Sequence, residues 1–198
     1  MGAGNLSMSK PCWACGALAD TSPLCKSCGK VQPSLPMNPY QRFSLQPAVD
    51  LDVKDLEKIY FDLQKQVHPD RFIAASAEEK LYAHQQAEDI NQAFETLKNP
   101  SARIKALLDF QGIQVSNESN ASLLMEVMEW RERLQESSSA SSLVALKEDL
   151  DQALQDTHQE MHQSFSKKDW RALQHVAVRF QYMNKVLDEV KIKRLALS

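Results

Sequence analysis

The tripeptide His68-Pro69-Asp70 interrupts one helical pattern, and a second pattern begins soon after it. Pro69 fixes its own φ near about −65° and drives the preceding residue out of the helical region. A helix arriving through Gln66 and Val67 therefore has to stop there. Upstream, Leu56, Ile59, Tyr60, Leu63 and Val67 recur at helical spacing, with Asp52 placed to cap and Asp55 in the first turn. Downstream, Ser76 to Glu79 reads as a capping box, followed by the stripe Ala83, Ala87, Ile90, Phe94 and Leu97. Two such helices joined by a loop of roughly ten residues pair as an antiparallel hairpin. The turn then displays an imidazole and a carboxylate on a stiff tip, with Asp70 expected to hold its shape through backbone hydrogen bonds. A rigid polar tip of this kind suits recognition by another protein.

Further along, Asn99-Pro100 ends the second helix and opens a short third one with Ile104, Leu107 and Leu108 on its apolar face and Gly112 at its end. A polar connection is expected over Val115 to Ala121. A helix then runs from about Ser122 to Glu136, and the serine-rich Ser137 to Ser142 reads as a loop. A long helix carries Leu143, Leu146, Leu150, Leu154, Met161 and Phe165. After a break at Lys167 to Asp169, the last carries Trp170, Leu173, Val176, Phe180, Met183, Leu187 and Val190. Stripes of this length make a three-helix bundle. Five glycines in 198 residues, and no strand-like alternation beyond the N-terminal module, place the chain in the all-α class.

All four cysteines lie in two C-x2-C pairs, Cys12/Cys15 and Cys25/Cys28, nine residues apart. Gly16 and Gly29 follow the second cysteine of each pair, where a knuckle turning around a metal favours positive φ. Four thiolates at this spacing suit a closed tetrahedral zinc site with a structural or contact role. Rubredoxin-type iron or an iron-sulfur cluster is the alternative; two disulfides are a third reading, disfavoured in a reducing compartment. Pro33, Pro36 and Pro39 then mark a linker, expected to separate the core of this module from that of the helices.

Several classes are excluded. A net charge of −3 gives no footprint for nucleic acid. No apolar run approaches the ~18 residues a membrane span needs. Met1 to Lys10 lacks the apolar core of a signal peptide and is too short for a transit peptide, so a bacterial cytoplasm is expected, or a mitochondrial matrix if the source is eukaryotic. An enzyme is not expected. His68 and Asp70 share one short turn without a nucleophile or oxyanion donor. His158 and His162 enclose Gln-Glu-Met rather than the order of a zinc protease helix, and are expected to flank the bundle in solvent.

The helix, His-Pro-Asp turn, helix, Asn-Pro and short helix resemble the J-domain of DnaJ-type co-chaperones. The stretch QKQVHPDRF over Gln64 to Phe72, INQAF over Ile90 to Phe94 and TLKNP over Thr96 to Pro100 resemble the HscB family in particular. So does LMEVMEWRE over Leu124 to Glu132, and the tetracysteine module is similar to that of some members. The resemblance implies a zinc-binding module over 10–32, a J-domain over 38–112 and a scaffold-binding three-helix bundle over 119–196. It implies a co-chaperone that binds the iron-sulfur scaffold protein IscU, delivers it to a DnaK/HscA-type ATPase chaperone and stimulates its ATP hydrolysis. A generic J-domain adaptor serving another DnaK client is the alternative. Chaperone contact would fall to His68, Pro69, Asp70, Lys65 and Arg71. Scaffold contact would fall to Leu124, Met128 and Tyr182, flanked by Met125, Glu129 and Glu132. In many J-domains the helix before the turn is strongly basic; here Lys54, Lys58 and Lys65 are offset by Asp55, Glu57 and Asp62, so steering toward the chaperone is expected to be weaker.

Overall fold

The computed structural model describes residues 10–113 and 121–196, divided into two compact units at Gly112. All but Ala121 of the polar connection read from the sequence lies outside the described residues.

The first unit opens with a two-stranded antiparallel ribbon, β1 (Lys10–Pro11) and β2 (Leu18–Ala19), in register Lys10 with Ala19 and Pro11 with Leu18. A short helix α1 (Pro39–Arg42) follows, then α2 (Val53–Val67), a single 3-10 turn at Pro69–Phe72, α3 (Ala77–Lys98) and α4 (Pro100–Phe110). The caps are those the sequence signals. Asp52 accepts from the Lys54 and Asp55 N–H groups, and Asn99 both ends α3 and accepts from Ala102 at the start of α4. α2 and α3 pack as the hairpin with Leu56, Val67, Ile90, Phe94 and Leu97 buried, and α4 packs on α3 with Ile104, Leu107 and Leu108 buried.

Two buried polar side chains tie loops to this core. The Arg103 guanidinium donates to the Val49 and Leu97 carbonyls at 2.9 Å each, and the Tyr40 hydroxyl donates to the Ala48 carbonyl at 2.7 Å. All three bonds run to backbone carbonyls, so no residue pattern announces them, and Arg103 also pairs with the Asp50 carboxylate at 3.5 Å.

The proline-rich linker does not separate the cysteine module from the helices. Val31, Phe72 and Ala83 form one buried cluster, with Leu24, Ala75 and Tyr82 packed on it. Gln86, fully inside α3, donates to the Gln32 carbonyl at 3.1 Å and accepts from Arg42 at 3.1 Å. Arg42 also donates to the Leu35 carbonyl and pairs with Asp89, which Ser34 bonds as well. Prolines fix the path of the linker, and buried donors along it fasten it to α3.

The second unit is a bundle of α5 (Ala121–Glu136), α6 (Ala140–Ser166) and α7 (Trp170–Ala196). α6 and α7 share the most extensive packing, and α5 rests mainly on α7. The serine run is only partly loop. Ser139 caps α6 reciprocally with Ser142, so the helix starts inside the run. Serines at such positions satisfy the free N–H groups of a helix start, which composition alone reads as loop. Lys168 takes φ 55° between α6 and α7, and Asp169 accepts from the Ala172 N–H. Both units are helical apart from the ribbon, and the fold is all-α.

Candidate functional site

Three sites stand on these elements. The first is the cysteine cluster. Its two knuckles repeat the same bonds: Gly16 N–H to Cys12 carbonyl at 2.9 Å and Cys12 N–H to Ala17 carbonyl at 2.7 Å, then Gly29 to Cys25 and Cys25 to Lys30, both at 2.8 Å. Gly16 and Gly29 take φ of +72° and +74°, the left-handed conformation a side chain resists. Each knuckle buries its first cysteine and exposes its second. The sulfurs of Cys12, Cys15, Cys25 and Cys28 all lie within 4.8 Å of one another, with Cys12 to Cys28 at 3.7 Å and Cys15 to Cys25 at 3.9 Å.

Four thiolates around one tetrahedral ion with metal–sulfur bonds of about 2.3 Å stand about 3.8 Å apart. The cluster fits a single ion of that kind. A polynuclear iron-sulfur cluster would hold its thiolates apart by its own width, and these sulfurs are too close. The charge pattern agrees. Burial raises the Cys12 thiol, but the Cys15 and Ala14 N–H groups and nearby sulfurs outweigh it and hold it at about 6. At Cys28 the Lys30 N–H is the strongest influence and lowers it, yet burial and the other three sulfurs together push it up to about 12. Four thiolates so close need a cation among them before all can ionise. Gln32, buried beside the cluster, donates to Cys12 Sγ at 3.3 Å.

The second site is the turn at His68. His68 ends α2 with φ −57° and ψ 132°, the extended conformation that Pro69 imposes. The side chains whose bonds shape the turn are His68 and Arg71 rather than Asp70. His68 Nδ1 accepts from the Asp70 N–H at 3.3 Å, the His68 carbonyl accepts from the Arg71 N–H at 3.0 Å, and Arg71 Nη1 donates to the Lys65 carbonyl at 3.1 Å. The Asp70 carboxylate is left 79% exposed, 3.6 Å from His68 Nδ1. Phe72 alone of the turn is buried. Lys65, His68, Pro69, Asp70 and Arg71 therefore lie exposed at one end of the hairpin.

The third is a face of α5. Leu123, Val127 and Leu134 supply its buried stripe. Leu124, Met125 and Met128 are 44%, 63% and 60% exposed, and Glu129 and Glu132 are exposed beside them. Tyr182 on α7 is half-buried, with the Lys185 ammonium 5.4 Å from its ring centre. His158 and His162 on α6 lie edge to face, 4.9 Å apart.

The side chains that join the first two sites went unnoticed in the sequence. The Trp13 indole donates to the Val31 carbonyl at 2.7 Å and meets the Tyr82 ring edge-on at 5.8 Å. Lys30 Nζ lies 2.9 Å from Glu79 Oε2. The capping box read at Ser76 is thereby altered: Ser76 accepts from the Glu79 N–H, but the Glu79 carboxylate is engaged by Lys30. The one available signal was the aromatic residue inside the first C-x2-C.

Comparison with known proteins gives these sites a context. The family model described as the HSCB C-terminal oligomerisation domain matches residues 119–191. A protein named co-chaperone protein HscB homolog from Neisseria meningitidis is 34% identical over 156 residues, which is 75% of this chain and 93% of that protein. Its namesake from Shewanella halifaxensis is 44% identical over 104 residues, 50% of this chain and 60% of that protein. The structure of the chaperone HscB from Vibrio cholerae matches with a TM-score of 0.75 and 31% identity, over 82% of this chain and 100% of its own. The structure of human co-chaperone protein HscB matches with a TM-score of 0.86 over 95% of this chain and 100% of its own; at 23% identity it shows a shared fold. Fold and sequence together place this chain among proteins named co-chaperones. The chain belongs to the HscB family.

Proposed function

We propose that this chain is a J-type co-chaperone that binds an IscU-type iron-sulfur scaffold protein, delivers it to a DnaK/HscA-type chaperone and stimulates ATP hydrolysis there. Residues 38–112 act as the J-domain and residues 119–196 as the scaffold-binding bundle. The observation that carries the reading is the exposed turn His68 to Arg71 on a rigid hairpin in a chain of this family. His68, Pro69 and Asp70 engage the chaperone, with Lys65 and Arg71 beside them. The Asp70 carboxylate meets a cation on the partner.

Leu124, Met128 and Tyr182 make the apolar scaffold contact, flanked by Met125, Glu129 and Glu132. An apolar patch rimmed by carboxylates is a common form of interaction surface. Cys12, Cys15, Cys25 and Cys28 hold one zinc, which when bound neutralises the thiolates and closes the module over 10–32. The relatives from Neisseria and Shewanella are bacterial, and a cytoplasmic place fits both partners, as a mitochondrial matrix would in a eukaryote; no described helix is long and apolar enough to cross a membrane.

The test is reconstitution. Purified chain is added to a DnaK-type ATPase with and without scaffold protein, and single-turnover ATP hydrolysis is followed. Stimulation that rises further when scaffold is present supports the reading. Stimulation without any response to scaffold, and no co-purification with it, favours instead a J-domain adaptor for another client.

A further inference from the structure

The segment from His68 to Ser76 connects α2 to α3 through a single 3-10 turn at Pro69–Phe72. Asp70 N–H reaches His68 Nδ1, Arg71 N–H the His68 carbonyl, and Ala75 N–H the Phe72 carbonyl. Phe72 is the buried anchor of this segment. On the hairpin side its cluster holds Ala83, with Tyr82 and Ala75 packed on it. On the other side the cluster takes in the cysteine module, through Val31, which is wholly buried, and Leu24, which pairs with Val31 in a β-bridge. The first turns of α3, into which the segment runs, are gripped by the same module: Lys30 on Glu79, and Trp13 on Tyr82. Trp13 lies between the first two cysteines and Lys30 two residues beyond the last. A module of this size has no core besides its knuckles, so its shape depends on what the four sulfurs hold.

We propose that the metal-loaded cysteine module is a brace for the His68-Pro69-Asp70 turn, in which Trp13, Lys30 and Val31 are positioning residues for Phe72 and the start of α3. A single 3-10 turn keeps one geometry only while its buried anchor is clamped, and only the clamped form presents His68 and Asp70 in that geometry. Loss of the metal releases Val31 and Lys30 and loosens the turn. The competent conformer then becomes a fraction of the population, and apparent affinity for the chaperone falls by that fraction. The consequence for the chaperone rests on the function proposed above; the conformational link between the metal site and the turn does not.

The experiment is amide hydrogen exchange on the full chain, zinc-loaded and zinc-stripped under reducing conditions, with Val31→Ala, Glu79→Lys and the exchanged pair Lys30→Glu with Glu79→Lys. Stripping and Val31→Ala should speed exchange at Asp70, Arg71 and Ala75 at least tenfold and leave the α6 amides unchanged. Glu79→Lys should speed it severalfold, and the exchanged pair should return it to within about twofold of the native chain. In the chaperone assay, stripping should raise the half-saturating concentration severalfold at nearly unchanged maximal stimulation. Unchanged exchange at the three amides after confirmed metal loss would overturn the brace. So would acceleration spread evenly over α2 and α4, which would make the module a general stabiliser of the unit. If the native chain fails to stimulate any chaperone, the proposed function falls while the exchange data still decide the brace.

Discussion

Arg179 on α7 grips Glu126 on α5 through two nitrogens, with Nε 3.0 Å from Oε2 and Nη2 2.8 Å from Oε1. The pair ties down the helix that carries the proposed scaffold patch. α5 needs the tie, because it packs on α6 far less than α7 does and gives much of its apolar surface to solvent. Both side chains are about 30% exposed, so the solvent screens the charge. Arg179→Met should lower the stability of the bundle by about 1 kcal/mol, measured by urea unfolding of the full chain with a tryptophan signal. The exchange of α5 amides should rise more than that of α6.

The turn gives a prediction of a different kind. His68→Gln keeps an acceptor within reach of the Asp70 N–H, and Asp70→Asn changes only an exposed carboxylate. Neither should move the melting temperature by more than about 2 °C, as expected of surface substitutions. Both should reduce ATPase stimulation at least tenfold. Full stimulation by the two variants would remove the turn from the mechanism.

How much of this was legible beforehand follows from where each interaction lies along the chain. Stripes such as Leu143 to Met161 and caps such as Asp52 and Asn99 are local, and period and spacing reveal them. The cysteine knuckles are local as well, each closed within a few residues. Arg103, Gln86 and Lys30 are another matter. Each is a common surface residue type, and each finds its partner tens of residues away on backbone or on a single carboxylate. No spacing rule reaches that far. On α5 apolar residues fall on several faces, and only the packing separates buried Leu123 and Val127 from exposed Leu124 and Met128.

The metal content is the third prediction. Freshly purified chain should release about one zinc per molecule on thiol modification, as a closed four-sulfur site requires. Cys12→Ser should abolish retention, since it removes a buried ligand that also receives the Gln32 N–H. Because the module shares a cluster with Phe72 and Ala83, that variant should also lower the melting temperature of the first unit. Visible charge-transfer absorption from iron in the native protein would refute zinc.

Tyr40 sets a limit at alkaline pH. Burial pushes its hydroxyl up to about 12 against the pull of the nearby Arg103 cation. An unfolded tyrosine ionises near about 10. The folded value is the higher one, so the contribution of neutral Tyr40 to stability is complete below pH ~10 and is lost as pH rises toward the folded value. Absorbance at 295 nm should show Tyr40 lagging the other three tyrosines, and urea stability of the first unit should fall across this window. In Tyr40→Phe the lag should vanish, at a cost near neutral pH of about 1 kcal/mol for the Ala48 carbonyl left without its donor.

The last prediction separates surface from core on α5. Core residues truncated to alanine cost about 2–5 kcal/mol each. Leu124 and Met128 are 44% and 60% exposed, so their truncation should cost far less, and Leu124→Ala with Met128→Ala should leave the melting temperature nearly unchanged. Tyr182 is half-buried under Lys185, and adding Tyr182→Ala should lower it by a few degrees. Val127→Ala, on the buried stripe of the same helix, is the control and should melt much earlier than either. Scaffold affinity, measured by calorimetry, should fall at least tenfold in the double variant, about 1.4 kcal/mol, and further in the triple. Val127→Ala should bind almost normally below its melting point, because its side chain faces the bundle. Undiminished binding by the triple variant would end the patch assignment, and early melting of the double variant would show that Leu124 and Met128 serve the core.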